Sequence, residues 1–353
     1  MNTAYASNGI TGLANEAITL DDTTLAVSIL NTLDGNTSGA VNASTITTLT
    51  GLAADANTAY ASSGISGLGN EAVTLTDTAG VALTIHTLDS NTTGSVDAST
   101  VTSVTGVSPT VITIYNSNGM SGLGNEGITL TGNTNVANTN TVAALTSGIV
   151  TATISEGDMS TLAGLTETGN AYTITITDTS VVASALNTLD GKTTVAVNAA
   201  AITTLTGLAA DANIAYASDG ISGLGNEAVT ISDTSLEATV LNTLDSNTTG
   251  VVNVTSISTL TGLTSDINTA YSNNTGSGVI VSQAGTILGL GNEAVTISDT
   301  SLAVAGLNTL DGNTTGVVNA ATVTTLTGVA AALNTAYASN GISGLGNEAV
   351  TIS

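Results

Sequence analysis

The sequence predicts a parallel α/β solenoid in which each coil holds short β-strands and one short helix. Two observations predict it: several phrases return at a fixed interval along all 353 residues, and the chain is 41% apolar yet holds no Phe, Trp or Cys. Small side chains in such a chain are buried by stacking similar coils on one another. We expect about twelve coils of roughly 22 to 28 residues. A pure β-helix, with turns in place of the helices, is the alternative.

Three short phrases mark the repeat. The phrase Gly-Leu-Gly-Asn-Glu, with Ala in its first copy, recurs mostly at intervals of 55 residues. Its copies begin at Gly12, Gly67, Gly122, Gly223, Gly289 and Gly344. Thr-Leu-Asp begins at Thr32, Thr87, Thr188, Thr243 and Thr309, and Thr-Leu-Thr-Gly ends at Gly51, Gly207, Gly262 and Gly328. Each 55-residue unit reads as two related coils. We therefore expect residues 1–353 to form a single solenoid with the geometry of leucine-rich repeats but without their consensus motif.

Each coil is predicted to start with a strand and continue as a helix. Stretches of Val, Ile and Thr are typical of strands. Apolar residues at i, i+4 and i+8 follow them, which is a helical spacing, and Leu25, Ile29 and Leu33 are one example. Asp233 and Asp299 are expected to cap the helices that follow them. The glycines expected to end helices in the left-handed conformation are Gly35, Gly64, Gly312 and Gly341.

Two segments depart from the repeat. Residues 127–168 are predicted to form shorter, divergent coils, although 128–130 and 150–154 still have the composition of strands. Residues 272–285 hold a Gly- and Ser-rich insertion and are expected to bulge as a loop. Pro109, the only proline, falls where a helix would begin, which a first-turn residue tolerates.

The charge balance excludes several kinds of partner. Asp and Glu number 26 against one basic residue, Lys192, for a formal net charge of −25. Nucleic acid is excluded because phosphate binding requires a basic surface. No apolar run approaches the roughly 20 residues of a transmembrane helix, so we expect no membrane insertion. Cations from solution must offset the negative charge.

The titratable residues do not predict an enzyme. His86 and Lys192 stand where other repeats have Asn, and no catalytic partners accompany them. Carboxylates recur with the repeat, whereas a catalytic pair would be expected at one place. One column holds Glu16, Glu71, Glu126, Glu227, Glu293 and Glu348, and another holds Asp34, Asp89, Asp190, Asp245 and Asp311. The place to look for exceptions is Glu156, Asp158 and Glu167, in the divergent coils.

Calcium is the cofactor that the aspartate column could hold. These aspartates are predicted at helix C-termini, where the helix dipole disfavours a negative charge. Ca²⁺ takes carboxylate, carbonyl and amide oxygens. The candidate ligands are Asp34 with Asn36, Asp245 with Asn247, and Asp311 with Asn313. The alternative is a set of solvated turn residues of the Asp-Gly-Asn type.

Two further patterns follow the repeat. A column of strand threonines could order water on an ice-binding face, although strand Thr is also ordinary on a solvated sheet. It holds Thr47, Thr102, Thr203 and Thr324. Four Asn-Thr-Ser/Thr tripeptides that recur with the repeat match the N-glycosylation acceptor, although Asn-Thr turns explain them without sugar. They begin at Asn36, Asn91, Asn247 and Asn313.

The tandem GLGNEAVT, LNTLDGNTTG and TLTG segments resemble the Thr-, Gly- and Ala-rich repeat regions of very large bacterial surface proteins, of the marine cyanobacterial type. The resemblance covers nearly the whole chain except residues 127–168. It implies a place outside the cell or at the cell surface and a structural role. It assigns no functional residue.

We therefore expect an extracellular structural or adhesive scaffold, such as a stalk, a surface layer or a filament segment, with calcium as the candidate stabilising ion. Its partners would be neighbouring repeats or copies of itself joined end to end, and surface polysaccharide. The alternatives are a carbohydrate-active solenoid, such as a lyase or a tailspike depolymerase, and an ice-binding protein.

Overall fold

The computed structural model describes residues 1–275 and 286–353. Over these residues the chain is an α/β protein with thirteen helices and parallel strands in stacked sheets, a repeated, solenoid-like arrangement. The chain divides into two units. The first consists of Met1–Glu156, Gly164–Thr173 and Lys192–Val195, and the second of Gly157–Ala163, Ile174–Gly191 and Ala196–Ser353.

The first unit holds six of the helices and three parallel sheets. Its helices are α1 (Asn2–Tyr5), α2 (Val27–Asn36), α3 (Ala53–Ala61), α4 (Ala82–Asn91), α5 (Ser108–Tyr115) and α6 (Val136–Ala143). Its strands are β1 (Ile18–Thr19), β2 (Thr24–Ala26), β3 (Val41–Asn42), β4 (Thr48–Gly51), β5 (Ile65–Ser66), β6 (Ala72–Leu75), β7 (Ala79–Val81), β8 (Val96–Asp97), β9 (Ser103–Gly106), β10 (Met120–Ser121), β11 (Gly127–Thr134), β12 (Val150–Ile154) and β13 (Ala171–Thr173). The sheet orders are β1-β3-β5, β2-β4-β6-β8-β10 and β7-β9-β11-β12-β13.

The second unit repeats this pattern with seven helices and four parallel sheets. Its helices are α7 (Met159–Leu162), α8 (Ala183–Asp190), α9 (Ala209–Ala217), α10 (Ala238–Asn247), α11 (Thr264–Ser272), α12 (Val304–Asn313) and α13 (Ala330–Ala338). Its strands are β14 (Ser180–Val182), β15 (Val197–Asn198), β16 (Thr204–Gly207), β17 (Ile221–Ser222), β18 (Ala228–Ile231), β19 (Ser235–Glu237), β20 (Val251–Asn253), β21 (Thr259–Gly262), β22 (Thr286–Leu288), β23 (Ala294–Ile297), β24 (Ser301–Ala303), β25 (Val318–Asn319), β26 (Thr325–Gly328), β27 (Ile342–Ser343) and β28 (Ala349–Ile352). The sheet orders are β14-β16-β18-β20-β22, β15-β17, β19-β21-β23-β25-β27 and β24-β26-β28.

The strand register places similar residues beside one another. Leu25 pairs with Leu49, and Leu49 pairs with Val73 in the next coil. Leu49 and Val73 are at most 1% exposed. Because neighbouring strands lie about 4.8 Å apart, each aliphatic side chain packs on its counterpart. The core is therefore a file of matched side chains, which is filled mainly by small and medium aliphatic residues.

The helices bury a different face from the one that the sequence predicts. In α2 the buried residues are Val27, Leu30 and Leu33, at a spacing of three. The predicted face is partly wrong, because Leu25 lies on β2 and Ile29 is 47% exposed. The strand continues up to the residue before the helix, so the first apolar residue of the predicted pattern belongs to the sheet.

Several predictions about the elements are confirmed. The Ala-rich stretches are helices, as α3 and α9 show, which favours the strand-plus-helix coil over the pure β-helix. In the divergent segment, 128–130 lies in β11 and 150–154 is β12. Pro109 is in the first turn of α5. Of the predicted insertion at 272–285, Ser272 ends α11 and residues 276–285 lie outside the described residues.

The aspartates predicted as helix caps do cap helices, but not the helices that follow them in the sequence. The N-cap residues of α10 and α12 are Glu237 and Ala303, without a side-chain bond. Asp233 Oδ2 instead accepts the first amide of α9 at 2.8 Å, and Asp299 Oδ2 accepts the amide of Thr264 in α11 at 2.7 Å. Each aspartate precedes a strand, so its carboxylate faces the preceding coil's helix. A cap of this kind contributes about 1 kcal/mol, and here it also ties two coils together.

The glycines predicted to end helices in the left-handed conformation do not do so. Gly35 and Gly312 lie inside α2 and α12, and neither they nor Gly64 and Gly341 have a positive φ. Gly64 leaves room for a side chain of another coil. A Cβ there would lie 2.1 Å from Asp34 Oδ1, so a larger residue would displace the Asp34 carboxylate from its present position.

Candidate functional site

The GLGNE phrase holds a glutamate inside each repeat. Gly67 and Gly69 have φ of 89° and 138°, a conformation that glycine adopts far more readily than other residues. This turn points two backbone amides at the side chain of Glu71. The amide of Gly69 donates to Oε2 at 2.8 Å, and the amide of Asn70 donates to the same oxygen at 3.2 Å.

A tyrosine from the preceding helix completes the site. Tyr60, near the end of α3, donates its hydroxyl to Glu71 Oε2 at 2.9 Å. We call this arrangement the Tyr–Glu clamp. Its other copies are Tyr5–Glu16 (3.2 Å), Tyr115–Glu126 (2.6 Å), Tyr216–Glu227 (3.0 Å), Tyr271–Glu293 and Tyr337–Glu348 (2.6 Å). Six of the seven tyrosines therefore serve the same contact.

The main chain of the glutamate binds the following coil. Thr92 Oγ1 donates to the carbonyl oxygen of Glu71 at 2.7 Å and accepts the amide of Gly94 at 3.0 Å. A Cβ on Gly94 would lie 2.2 Å from that carbonyl oxygen. Glu71 thus contacts the end of the preceding helix, its own glycine turn and the following coil.

The inner clamps are closed to solvent. Glu71, Glu126, Glu227 and Glu293 are at most 1% exposed. In Glu126 and Glu227, Oε1 is buried without a hydrogen-bond partner, while the donors converge on Oε2. Burying a carboxylate is costly unless donors compensate for the lost water. Since no substrate can reach these sealed carboxylates, the clamp acts as a structural tie.

Burial changes the acidity of the clamp tyrosines. Desolvation is the largest cause that raises the pKa of four tyrosines well above the usual value near 10, and the adjacent glutamate adds to it. They are Tyr60, Tyr115, Tyr216 and Tyr271. For Tyr337, the hydrogen bond to Glu348 is the main cause that raises the pKa to about 12. Tyr172 lies outside the clamps, and burial raises its pKa to about 12.

The repeat pattern of the sequence identified the glutamate column of the clamp but not the tyrosines that contact it. The missed signal is the constant spacing of 11 residues between tyrosine and glutamate in five copies. In the sixth copy, Tyr271 and Glu293 are 22 residues apart because the insertion lies between them. The tyrosine–glutamate hydrogen bond forms despite this insertion. The fold therefore keeps the pair in contact although its spacing in the sequence differs.

The aspartates proposed as metal ligands also bridge coils. Asp34 Oδ2 accepts the hydroxyl of Ser62 at 2.7 Å, and Asp311 Oδ2 accepts the hydroxyl of Ser339 at 2.7 Å. Asp89 and Asp190 do the same with the equivalent serines. One oxygen of each carboxylate thus binds the following coil.

Asp245 is the exception in this column. It is 4% exposed and accepts the side-chain amide of Asn273 at 2.9 Å, while its Oδ1 has no hydrogen-bond partner. Burial is the main cause that raises the pKa of Asp245, against the opposing effect of the Asn273 hydrogen bond.

The proposed amide ligands lie two residues after these aspartates, at the C-terminal ends of the helices. Asn36, Asn247 and Asn313 are the last residues of α2, α10 and α12. Asn247 donates to Asn213 Oδ1 at 3.0 Å, and Asn313 donates to Asn268 Oδ1 at 3.2 Å. Across residues 1–275 and 286–353, no three His, Cys, Asp or Glu side chains come together in a group that could hold a metal ion.

His86 and Lys192 occupy different surroundings. His86 lies in α4 with Nδ1 buried and without a hydrogen-bond partner. The equivalent Asn31 donates to the carbonyl of Asp55 at 2.9 Å, so the histidine interrupts a row of amide contacts between helices. Lys192 Nζ donates to the carbonyl of Thr166 at 3.0 Å.

The threonine column is exposed but partly used by the fold. Thr47 and Thr102 donate their hydroxyls to the carbonyls of Thr23 and Thr78, at 3.1 and 2.9 Å. Thr203 and Thr324 make the same bond to the preceding coil. These hydroxyl protons are therefore directed at the main chain rather than at solvent.

The acids of the divergent coils have separate roles. Glu156 Oε1 accepts the amide at the start of α6 at 3.3 Å. Asp158 caps α7, and hydrogen bonds from the hydroxyls of Ser160 and Thr161 and from the Thr161 amide lower its pKa to about 2. Glu167 is exposed.

None of the described helices has the length and apolar character needed to cross a bilayer. No family model matches the chain, and no curated protein or solved structure matches it.

Removing one clamp hydroxyl should weaken the fold locally. Tyr216→Phe leaves the buried Glu227 carboxylate with one donor fewer, and a hydrogen bond to a charged group contributes about 2 kcal/mol. We expect a lower urea midpoint and faster hydrogen exchange of the Gly225 and Asn226 amides. Tyr337→Phe is the matched control, because Tyr337 is 44% exposed and water can replace its hydroxyl. Equal effects of the two substitutions would contradict the burial argument.

The raised tyrosine pKa values predict loss of stability in alkali. Below about pH 10 the phenols are neutral in both the folded and unfolded chains, so their contribution is complete. As the pH rises from about 10 toward the folded pKa of about 12 for Tyr172 and Tyr337, the unfolded chain loses protons first and the free energy of unfolding falls. Urea midpoints measured across this range at high salt should decline, and less steeply in Tyr216→Phe. A flat profile, or tyrosinate absorbance titrating at the free-phenol pH, would refute this assignment.

Proposed function

We propose that this chain is an extracellular structural repeat scaffold, a segment of a stalk, surface layer or adhesive filament. One observation carries the proposal: the buried polar side chains recur once per repeat and bind the neighbouring coil. Glu71 and Glu227 make the same contacts in the two units, as do Asp34 and Asp311. A catalytic site would be expected at one place in the chain. A stack of coils, by contrast, requires the same contact between every pair of neighbours.

The acidic composition supports a place outside the cell. With 26 acidic residues against one lysine, the surface remains hydrated and requires cations from its surroundings. The resemblance to bacterial surface repeats points the same way. End-to-end contact with further repeats or copies, and adhesion to surface polysaccharide, belong to this proposal.

The count of about twelve coils in a single solenoid is also part of the proposal. In a stack where each coil contacts only its neighbours, stability is close to a sum of coil and interface contributions. Such a chain yields to force coil by coil, which suits a fibre that must extend without breaking.

Single-molecule pulling tests the scaffold. The chain contains no cysteine, so Met1→Cys and Ser353→Cys provide two unique attachment points. We expect about twelve unfolding steps, each releasing roughly 90 Å for a coil of about 27 residues. A single all-or-none rupture would contradict the proposal. The Tyr216→Phe chain should lower the force of some steps and leave the others unchanged.

Calcium stabilisation is tested by melting. If Asp34, Asp245 and Asp311 bind Ca²⁺ with their asparagines, excess chelator should lower the Tm, since an ion at one hundred times its Kd contributes about 2.7 kcal/mol. Asp311→Asn should then reduce the difference between the calcium and chelator melts. Identical melts with and without chelator would end the calcium proposal and leave the scaffold intact.

A further inference from the structure

Four of the Asn-x-Ser/Thr tripeptides belong to a longer motif. Each has an aspartate two residues before the asparagine, in the pentapeptides 34–38, 89–93, 245–249 and 311–315. The other three tripeptides, at Asn42, Asn253 and Asn273, have Ala40, Val251 and Tyr271 at that position. The tripeptide alone is a general N-glycan acceptor, while bacterial oligosaccharyltransferases that recognise the acidic residue require the pentapeptide.

The structure places all four asparagines at the same point of the coil. Asn36, Asn91, Asn247 and Asn313 are the last residues of α2, α4, α10 and α12, and the threonine after each is extended. The chain therefore leaves the helix at the acceptor residue.

The surroundings of the acceptor are open. Asn36, Asn91 and Asn313 are exposed, and Asn247 is half-buried. At Gly35 and Gly312, the residues just before two of the acceptors, an added Cβ would meet no atom within 4 Å. A sugar on these asparagines would project into free space.

The flanking residues of the pentapeptide bind main-chain carbonyls and the following coil, whereas the asparagines bind only other asparagines. Thr37 and Ser38 donate to main-chain carbonyls at 2.8 and 3.2 Å, and Asp34 accepts from the following coil. Asn91 and Asn313 make exposed side-chain contacts with other asparagines, and the equivalent contact of Asn247 with Asn213, at 3.0 Å, is half-buried.

The copy at 190–194 shows that the fold does not require the asparagine. Here Lys192 replaces it. Asp190 still accepts the hydroxyl of Ser218 at 2.7 Å, and Thr193 still donates to a main-chain carbonyl at 2.8 Å. The contacts of the aspartate and the threonine therefore form without an asparagine between them.

We propose that Asn36, Asn91, Asn247 and Asn313 are acceptors for N-linked glycan. The inference rests on the proposed extracellular placement, because the co-reactant, an oligosaccharide on a lipid pyrophosphate, is used on the outer side of the membrane. The amide Nδ2 forms a bond to the anomeric carbon as that carbon's bond to the pyrophosphate oxygen breaks. The lipid pyrophosphate leaves with the electron pair, and one amide proton passes to a base of the transferase.

Glycosylation of the purified full chain tests the proposal. The probe is a bacterial oligosaccharyltransferase of this specificity with a lipid pyrophosphate-linked oligosaccharide, and the readouts are intact mass and peptide mapping with an acid-specific protease. We expect glycan at the four asparagines and none at Asn42, Asn253 or Asn273. Asn36→Gln should remove one glycan. Lys192→Asn, which completes the fifth pentapeptide, should add one.

Two results would overturn the proposal. One is an unchanged mass while a free peptide with the 311–315 sequence is glycosylated in the same mixture. The other is equal modification of Asn42 and Asn253. Melting curves of the variants verify that each is folded. Either failure leaves the stepwise pulling result untouched, and a failed pulling experiment leaves the acceptor assignment standing, so the two proposals are judged separately.

Discussion

Many polar groups of a coil form hydrogen bonds with atoms of an adjacent coil. Thr37 donates to the carbonyl of Glu16, Asn31 donates to the carbonyl of Asp55, and Asp77 accepts the first amide of α3, across 21 to 24 residues of sequence. An unpaired buried polar group costs about as much as a lost hydrogen bond or more. A coil separated from its neighbours would exchange these hydrogen bonds for water and lose its packed faces, so we expect the repeat to be stable only as a stack.

Close approach of the coils explains the composition. Wherever a coil passes over a glutamate carbonyl, as at Gly39 and Gly94, a Cβ would lie 2.2 to 2.3 Å from that oxygen. Helix α3 meets its surroundings through Ala53, Ala56 and Ala59, which are nearly fully buried. Larger side chains would separate the coils and break the hydrogen bonds between them. The chain thus achieves a dense interior mainly with Ala, Val, Leu and Ile, and with few aromatic residues.

The net negative charge follows from which groups donate hydrogen bonds to the carboxylates. Phenols, hydroxyls and backbone amides, rather than basic side chains, donate to the glutamates and aspartates inside the repeat, as at Glu71 and Asp34. These donors are neutral, so the stack keeps its net charge of −25. The result is an interior stabilised by directed hydrogen bonds and a surface that depends on ions in the medium.

The sequence by itself determined the features that repeat along the chain. The period, the strands at 128–130 and 150–154 and the helices of the Ala-rich stretches follow from local composition and spacing, and the structure contains them. The columns of the candidate site were also visible in the sequence, because each recurs with the period.

Only the tertiary structure decided which columns meet. Asp299 caps α11 rather than α12, Gly64 makes room for Asp34, and Tyr60 joins Glu71. The physical reason is that helix caps and turn glycines are predicted from residues nearby in sequence. The partners of these three residues lie on other elements, and the alignment of one coil against the next determines them. That alignment depends on the packing of the whole file of side chains, which no local pattern specifies.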